Sequence, residues 1–139
     1  MSAAADERAV LAANEAFYRA FAAKDVAAME AVWAGTAPVA CIHPGWQALA
    51  GRDPVLASWR AILTSASSPR IACLGAKATV HGDFAYVICY ERVEGGYLIA
   101  TNLFVRETGA WKMVHHQAGP TSAPDDSTEP PAPTAPTVH

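Results

Sequence analysis

Nowhere in the chain do lysines and arginines gather into a run, so the electrostatic footprint of a nucleic-acid binder is missing. No stretch approaches the roughly 20 apolar residues of a membrane helix. Met1 to Arg8 carries Asp6 and Glu7 where a signal sequence needs an apolar core, and the expected compartment is therefore the cytoplasm. The cysteines, Cys41, Cys73 and Cys89, make neither a C-x-x-C pair nor any metal-type spacing. Each sits in apolar, strand-like surroundings and reads as a reduced core residue. G-x-S-x-G, the Walker loop, the dinucleotide fingerprint and H-E-x-x-H are all missing, which leaves ATP, NAD and zinc-protease chemistry without support. Neither cofactor nor metal is expected.

What is present is the balance of a globular domain. Over 139 residues, 52% are hydrophobic and 17% charged, enough to build one generous core without a staple. The net charge of −3 comes from Asp125, Asp126 and Glu129 near the C-terminus; without them the acidic residues equal the basic ones.

Along the chain, three helical segments precede a run of strands. Val10, Leu11, Phe17, Tyr18 and Phe21 recur at helical spacing between Asp6 and Lys24. Asp25 is a suitable N-cap for a second helix whose face is Val26, Met29, Val32 and Trp33, ended by Gly35. A strand from Val39 to Ile42 runs into the turn His43-Pro44-Gly45-Trp46, with a brief second strand expected over Gln47 to Ala50. Asp53 as N-cap and Pro54 at the first helical position open a third helix with the stripe Val55, Leu56, Trp59, Ile62 and Leu63. After Pro69 the period changes, and strands are expected over 70–80, 84–93, 97–106 and 111–118, with Gly75 marking a bulge that curls the sheet. The short turns between them make them antiparallel. Between Phe84 and Val93 both alternating sets are largely apolar, so one face closes over the helices and the other is expected to meet a second subunit. The fold class is thus α+β, with a domain over 1–119 and a disordered, proline-rich tail over 120–139.

The last hairpin allows a geometric deduction. With Arg106 opposite Trp111, Phe104 faces Met113 and Asn102 faces His115, while His116 points to the other side with Val114 and Lys112. Two adjacent strand histidines then cannot chelate one metal. The Asn102 and His115 pair has two readings, a mutually bonded buried pair or a pair that lines a cavity and binds a ligand's oxygen. His43, at a strand end before Pro44-Gly45, is a candidate general base, with turn capping as the alternative. Trp46 and Trp59 are candidate walls, and Tyr18, Trp33, Tyr90, Phe104 and Met113 complete the candidate pocket.

The element order, together with His43-Pro44-Gly45-Trp46, Gly51-Arg52-Asp53, Ser58-Trp59-Arg60 and the ending Trp111 to His116, resembles the nuclear transport factor 2-like superfamily, in its SnoaL-like branch. The resemblance covers residues 6–119. It implies a cone-shaped domain with a curved antiparallel sheet packed on three helices, a pocket between the layers, and a homodimer joined through the sheet. Within that superfamily, His43-Pro44 falls where ketosteroid isomerases have their catalytic Asp-Pro. Phe17 falls where their oxyanion-hole tyrosine is, and Asn102 is the nearest counterpart of their second donor. The expectation is a small-molecule pocket, an isomerase, cyclase or hydrolase of an apolar carbonyl compound with His43 as base and Asn102 and His115 binding oxygen. The competing expectation is a non-catalytic dimeric module.

Overall fold

The structure is a computed structural model that describes residues 2–125. Helix α1, Ala3–Ala23, starts earlier than the periodicity suggests because the Ser2 hydroxyl accepts from the Ala5 N–H, and it ends where Lys24 adopts a left-handed φ of 54°. One face, Val10, Asn14, Phe17, Tyr18 and Phe21, is buried. Asp25 caps α2, Val26–Val32, through the Ala28 N–H at 3.0 Å, as its side chain and position predict. Helix α3, Arg52–Thr64, begins one residue before the expected cap. Gly51 occupies the N-cap position with φ 98° and no side-chain bond, and Asp53 lies inside the first turn, where a carboxylate still favours the helix dipole. Arg52 turns away to donate to the carbonyls of Trp33 and Ala34, tying the end of α2 to the start of α3.

Six strands form one sheet in the order β2-β1-β6-β5-β4-β3. They are β1 Ala40–Ile42, β2 Leu49–Ala50, β3 Ala72–His81, β4 Phe84–Val93, β5 Gly96–Glu107 and β6 Ala110–Thr121. All neighbouring pairs are antiparallel except β1 and β6, whose parallel pairing sets Cys41 beside His116. That pairing brings the strand end carrying His43 to the strand carrying the two adjacent histidines. The ladder of β6 continues through Leu98↔Pro120 and Tyr97↔Thr121, so ordered strand passes the boundary expected at residue 119. Residues 126–139 of the expected tail lie outside the described residues.

Two irregularities bend the sheet. In β3 the register shifts between Leu74 and Lys77, around Gly75 with φ 62°, a left-handed conformation that glycine adopts at little cost. In β6 a second shift lies opposite Leu103 and Phe104: Phe104 faces Met113 but Leu103 faces His115, leaving Val114 as the extra residue. The inner face, including Val87, Cys89, Phe104 and Met113, packs on α1 in one core with Phe17, Met29, Trp33 and Trp59. The outer face leaves Phe84, Ile88 and Ile99 between 38% and 41% exposed. Among the described residues no helix is long and apolar enough to cross a membrane.

Candidate functional site

The bulge at Val114 decides which histidine faces inward. Beyond it every pair on β6 moves by one residue, so Asn102 faces His116, and the expected pairing of Asn102 with His115 does not occur. His116 is 3% exposed, whereas His115 turns away and its Nδ1–H donates to the Ala40 carbonyl at 3.0 Å. The two histidines do lie on opposite sides of the strand, with their sides exchanged.

A cavity of about 340 Å³ opens between α3, the turn after β1 and the inner face of the sheet, within the size range of small-molecule sites. His43, Glu91 and His116 are its titratable lining, set among apolar walls that include Phe21, Trp46, Trp59 and Leu98. Trp46 is 48% exposed at the rim and meets the His43 ring edge-on at 4.7 Å, and Trp59 meets the same ring from within at 4.7 Å. Tyr90 lies on the outer face of β4, paired with Ile99, so its hydroxyl is turned away from this cavity. Strand alternation requires this once Val87 faces Asn102 on the inside. Trp33, Phe104 and Met113 are fully packed in the core and do not line the opening.

Hydrogen bonding fixes the tautomers. The Ser58 hydroxyl donates to the Val55 carbonyl at 2.7 Å, so its oxygen accepts from His43 Nε2–H at 2.8 Å. Nδ1 of His43 is then the ring nitrogen with the free lone pair. The Asn102 amide nitrogen donates to Asn14 Oδ1 at 2.8 Å and to the Tyr18 hydroxyl at 3.2 Å, so Asn102 Oδ1 accepts from His116 Nδ1–H at 2.6 Å. His116 presents a lone pair at Nε2, 3.9 Å from Glu91 Oε2. Tyr18 extends the chain of bonds by donating to the same Glu91 oxygen at 2.6 Å. Asn102 thus stands behind His116 and orients it; it does not itself line the cavity.

The electrostatics follow from burial. Desolvation lowers His43 to about 4, and desolvation, helped by the neighbouring His43 and His115, lowers His116 to about 3. Both imidazoles are therefore neutral near pH 7, and the approach of His116 to Glu91 at 3.9 Å is neither an ion pair nor a hydrogen bond. Burial acts oppositely on Glu91, raising its pKa above the ordinary carboxylate value, with the Tyr18 hydrogen bond as a smaller opposing influence. Desolvation likewise raises Cys41 to about 12, which leaves this thiol inert beside His43. Among the described residues no group of three or more His, Cys, Asp or Glu side chains is arranged to hold a metal ion.

Sequence reasoning overlooked Glu91 and placed His116 on the wrong side. Glu91 was within reach, because the inward set Ala85, Val87, Cys89 of β4 continues to it by simple alternation.

Three helices followed by a curved, mostly antiparallel sheet with a cavity between the layers define a nuclear transport factor 2-like, cystatin-like α+β fold. Residues 10–123 match the SnoaL-like domain, and the chain belongs to that family. It is 31% identical to a candidate dehydratase of the NTF2-like family from Streptomyces avermitilis, covering 88% of this chain and 100% of that one with a TM-score of 0.79. It is 37% identical to a candidate calcium/calmodulin-dependent protein kinase type II association domain from Thiobacillus denitrificans, over 79% of this chain and 93% of that one, with a TM-score of 0.70. The F-box protein SKIP8 of Arabidopsis thaliana is 28% identical over 116 residues, 82% of this chain. The chain spans about half the length of that curated relative.

Proposed function

We propose that the cavity is an acid–base site for a small apolar carbonyl compound, in which His43 takes a proton and Glu91 gives one, so that the reaction is an elimination or an isomerisation next to the carbonyl. The observation that carries this reading is a single apolar cavity lined by an imidazole whose pKa burial lowers and a carboxyl whose pKa burial raises. Environments that push two titratable groups apart assign one as base and the other as acid. In an elimination, His43 Nδ1 accepts the proton α to the carbonyl while the Glu91 carboxyl protonates the departing hydroxyl, which leaves as water. In an isomerisation the same carboxyl donates to the carbonyl oxygen as the enol forms. An imidazole of pKa about 4 is a weak base, so the C–H bond it breaks must be acidified by the carbonyl. His116, oriented by Asn102, has only its Nε2 lone pair to offer and accepts from a substrate hydroxyl.

The test is turnover of β-hydroxy ketones and non-conjugated enones by the protein and by His43→Gln and Glu91→Gln. Each substitution is expected to lower kcat by on the order of 10²-fold or more while KM changes little. A substrate turned over equally well by both variants refutes the assignment.

A second reading, a non-catalytic assembly module, is favoured by the likeness to the association domain and by the apolar outer face of the sheet. Under it the cavity binds a ligand without turning it over, and none of the screened compounds reacts.

A further inference from the structure

We infer that the ligand of this cavity is an uncharged, flat ring compound that brings a hydroxyl donor, and that the same ring carrying a carboxylate is rejected. The inference rests on reading the cavity as the substrate site and goes on to name the chemistry it selects.

Hydrogen-bond direction is the first argument. His43 spends its N–H on Ser58 and His116 spends its N–H on Asn102, so each imidazole has only a lone pair left to offer. Two acceptors require a ligand that donates, and a hydroxyl supplies an O–H where a carboxylate supplies only further lone pairs. An acceptor set against an acceptor leaves both desolvated and unpaired, which is more costly than a hydrogen bond is favourable.

Charge is the second argument. Neither lysine nor arginine lines the cavity among the described residues, so nothing fixed compensates an anion. The histidines do not supply the missing charge, since burial among Phe21, Trp46 and Trp59 opposes their protonation. Glu91 lines the same space: protonated, its single O–H can meet one ligand oxygen without compensating a charge, and ionised it repels an anion. Shape is the third argument. Trp46 and Trp59 both meet the His43 ring edge-on at 4.7 Å and line the same cavity, so a planar ring entering past Trp46 finds aromatic surface next to the imidazole.

The experiment uses the full chain and two probes that share one ring system, β-naphthol and β-naphthoate, followed by isothermal titration near pH 7. β-Naphthol is expected to bind at least about tenfold more tightly than β-naphthoate. Trp46→Ala, at the exposed rim where the fold tolerates change, is expected to weaken β-naphthol binding several-fold. Equal affinities, a preference for β-naphthoate, β-naphthol that does not bind up to its solubility, or a Trp46→Ala protein that binds β-naphthol unchanged would each overturn the inference. The outcome is separable from the acid–base reading. A carboxylate preference in a protein whose turnover still depends on His43 and Glu91 removes only the ligand class, whereas a naphthol preference without such dependence removes only the catalysis.

Discussion

Replacing His43 by glutamine should change how the protein's stability responds to acid, by an amount that follows from burial. In the folded protein desolvation holds His43 at about 4, against 6.5 for an unburied imidazole. As pH falls through 6.5 the unfolded chain takes up a proton that the folded chain refuses, so the unfolded state binds more protons and stability drops. Integrated from about pH 7 to about pH 5, this single group removes about 2 kcal/mol, a figure that hardly depends on the folded pKa once it lies near or below 4. His116 contributes a loss of the same sign over the same window, since it is held at about 3. Glu91 acts in the opposite direction: its raised pKa makes the folded state hold its proton longer, so its contribution grows as pH falls toward 4.5. Both remain in His43→Gln, whose amide can still donate to Ser58; desolvation, the larger cause, still holds His116 low, so the two nearly cancel in the comparison. Urea denaturation of both proteins at the two pH values is the assay. The wild type should lose about 2 kcal/mol more than the variant, beyond the error of the linear extrapolation when midpoints are compared at constant slope. Parallel losses would mean that the folded protein protonates His43 as readily as the unfolded chain does. That result would refute both the burial argument and the neutral base built on it.

Two further outcomes test the surroundings of the site. Asn102→Leu removes the acceptor of His116 Nδ1–H and the donor to Asn14 at once, leaving buried polar groups unpaired, and should destabilise the protein by about 3 kcal/mol in urea titration. A change below about 0.5 kcal/mol would show that the chain of bonds is not held together as described. The outer face of the sheet is proposed to join two copies of the chain, so sedimentation at micromolar concentration should give a dimer, and Ile88→Lys combined with Ile99→Lys should give a folded monomer. A wild-type monomer contradicts the proposal.

Local signals carry most of the fold. The stripes of α1 and α3, Asp25 as a cap, Gly75 at a bulge and the glycine turns each depend on residues close together in sequence, and each appears where those residues predict, whereas α2 stops at Val32, short of the expected end at Gly35, because Trp33 is already extended and bridges to Met113. The start of α3 differs because Gly51, with φ 98°, takes the cap position through its backbone freedom, which Asp53 cannot match with a side chain alone. The site was less legible, and the reason is one residue. The bulge in β6 carries no glycine or proline; Val114 is an ordinary strand residue, and nothing in its chemistry announces that pairing slips there. A period of two magnifies that slip into an exchange of faces, so His115 and His116 trade places while Phe104 and Met113, on the near side of the bulge, stay where regular pairing puts them. The parallel pairing of β1 with β6 depends on contacts some 75 residues apart, as between Ala40 and His115. Yet the inward set of β6 hints at the slip, because Trp111 and Met113 are followed by His116 and Ala118 as the buried residues, and only an added residue between them keeps small and apolar groups inside. Read that way, the inner face of β6 has to offer an imidazole to Asn102. The same inner face, followed along β4 past Cys89, has to offer Glu91, so the polar cluster inside this fold follows from alternation once the bulge is placed.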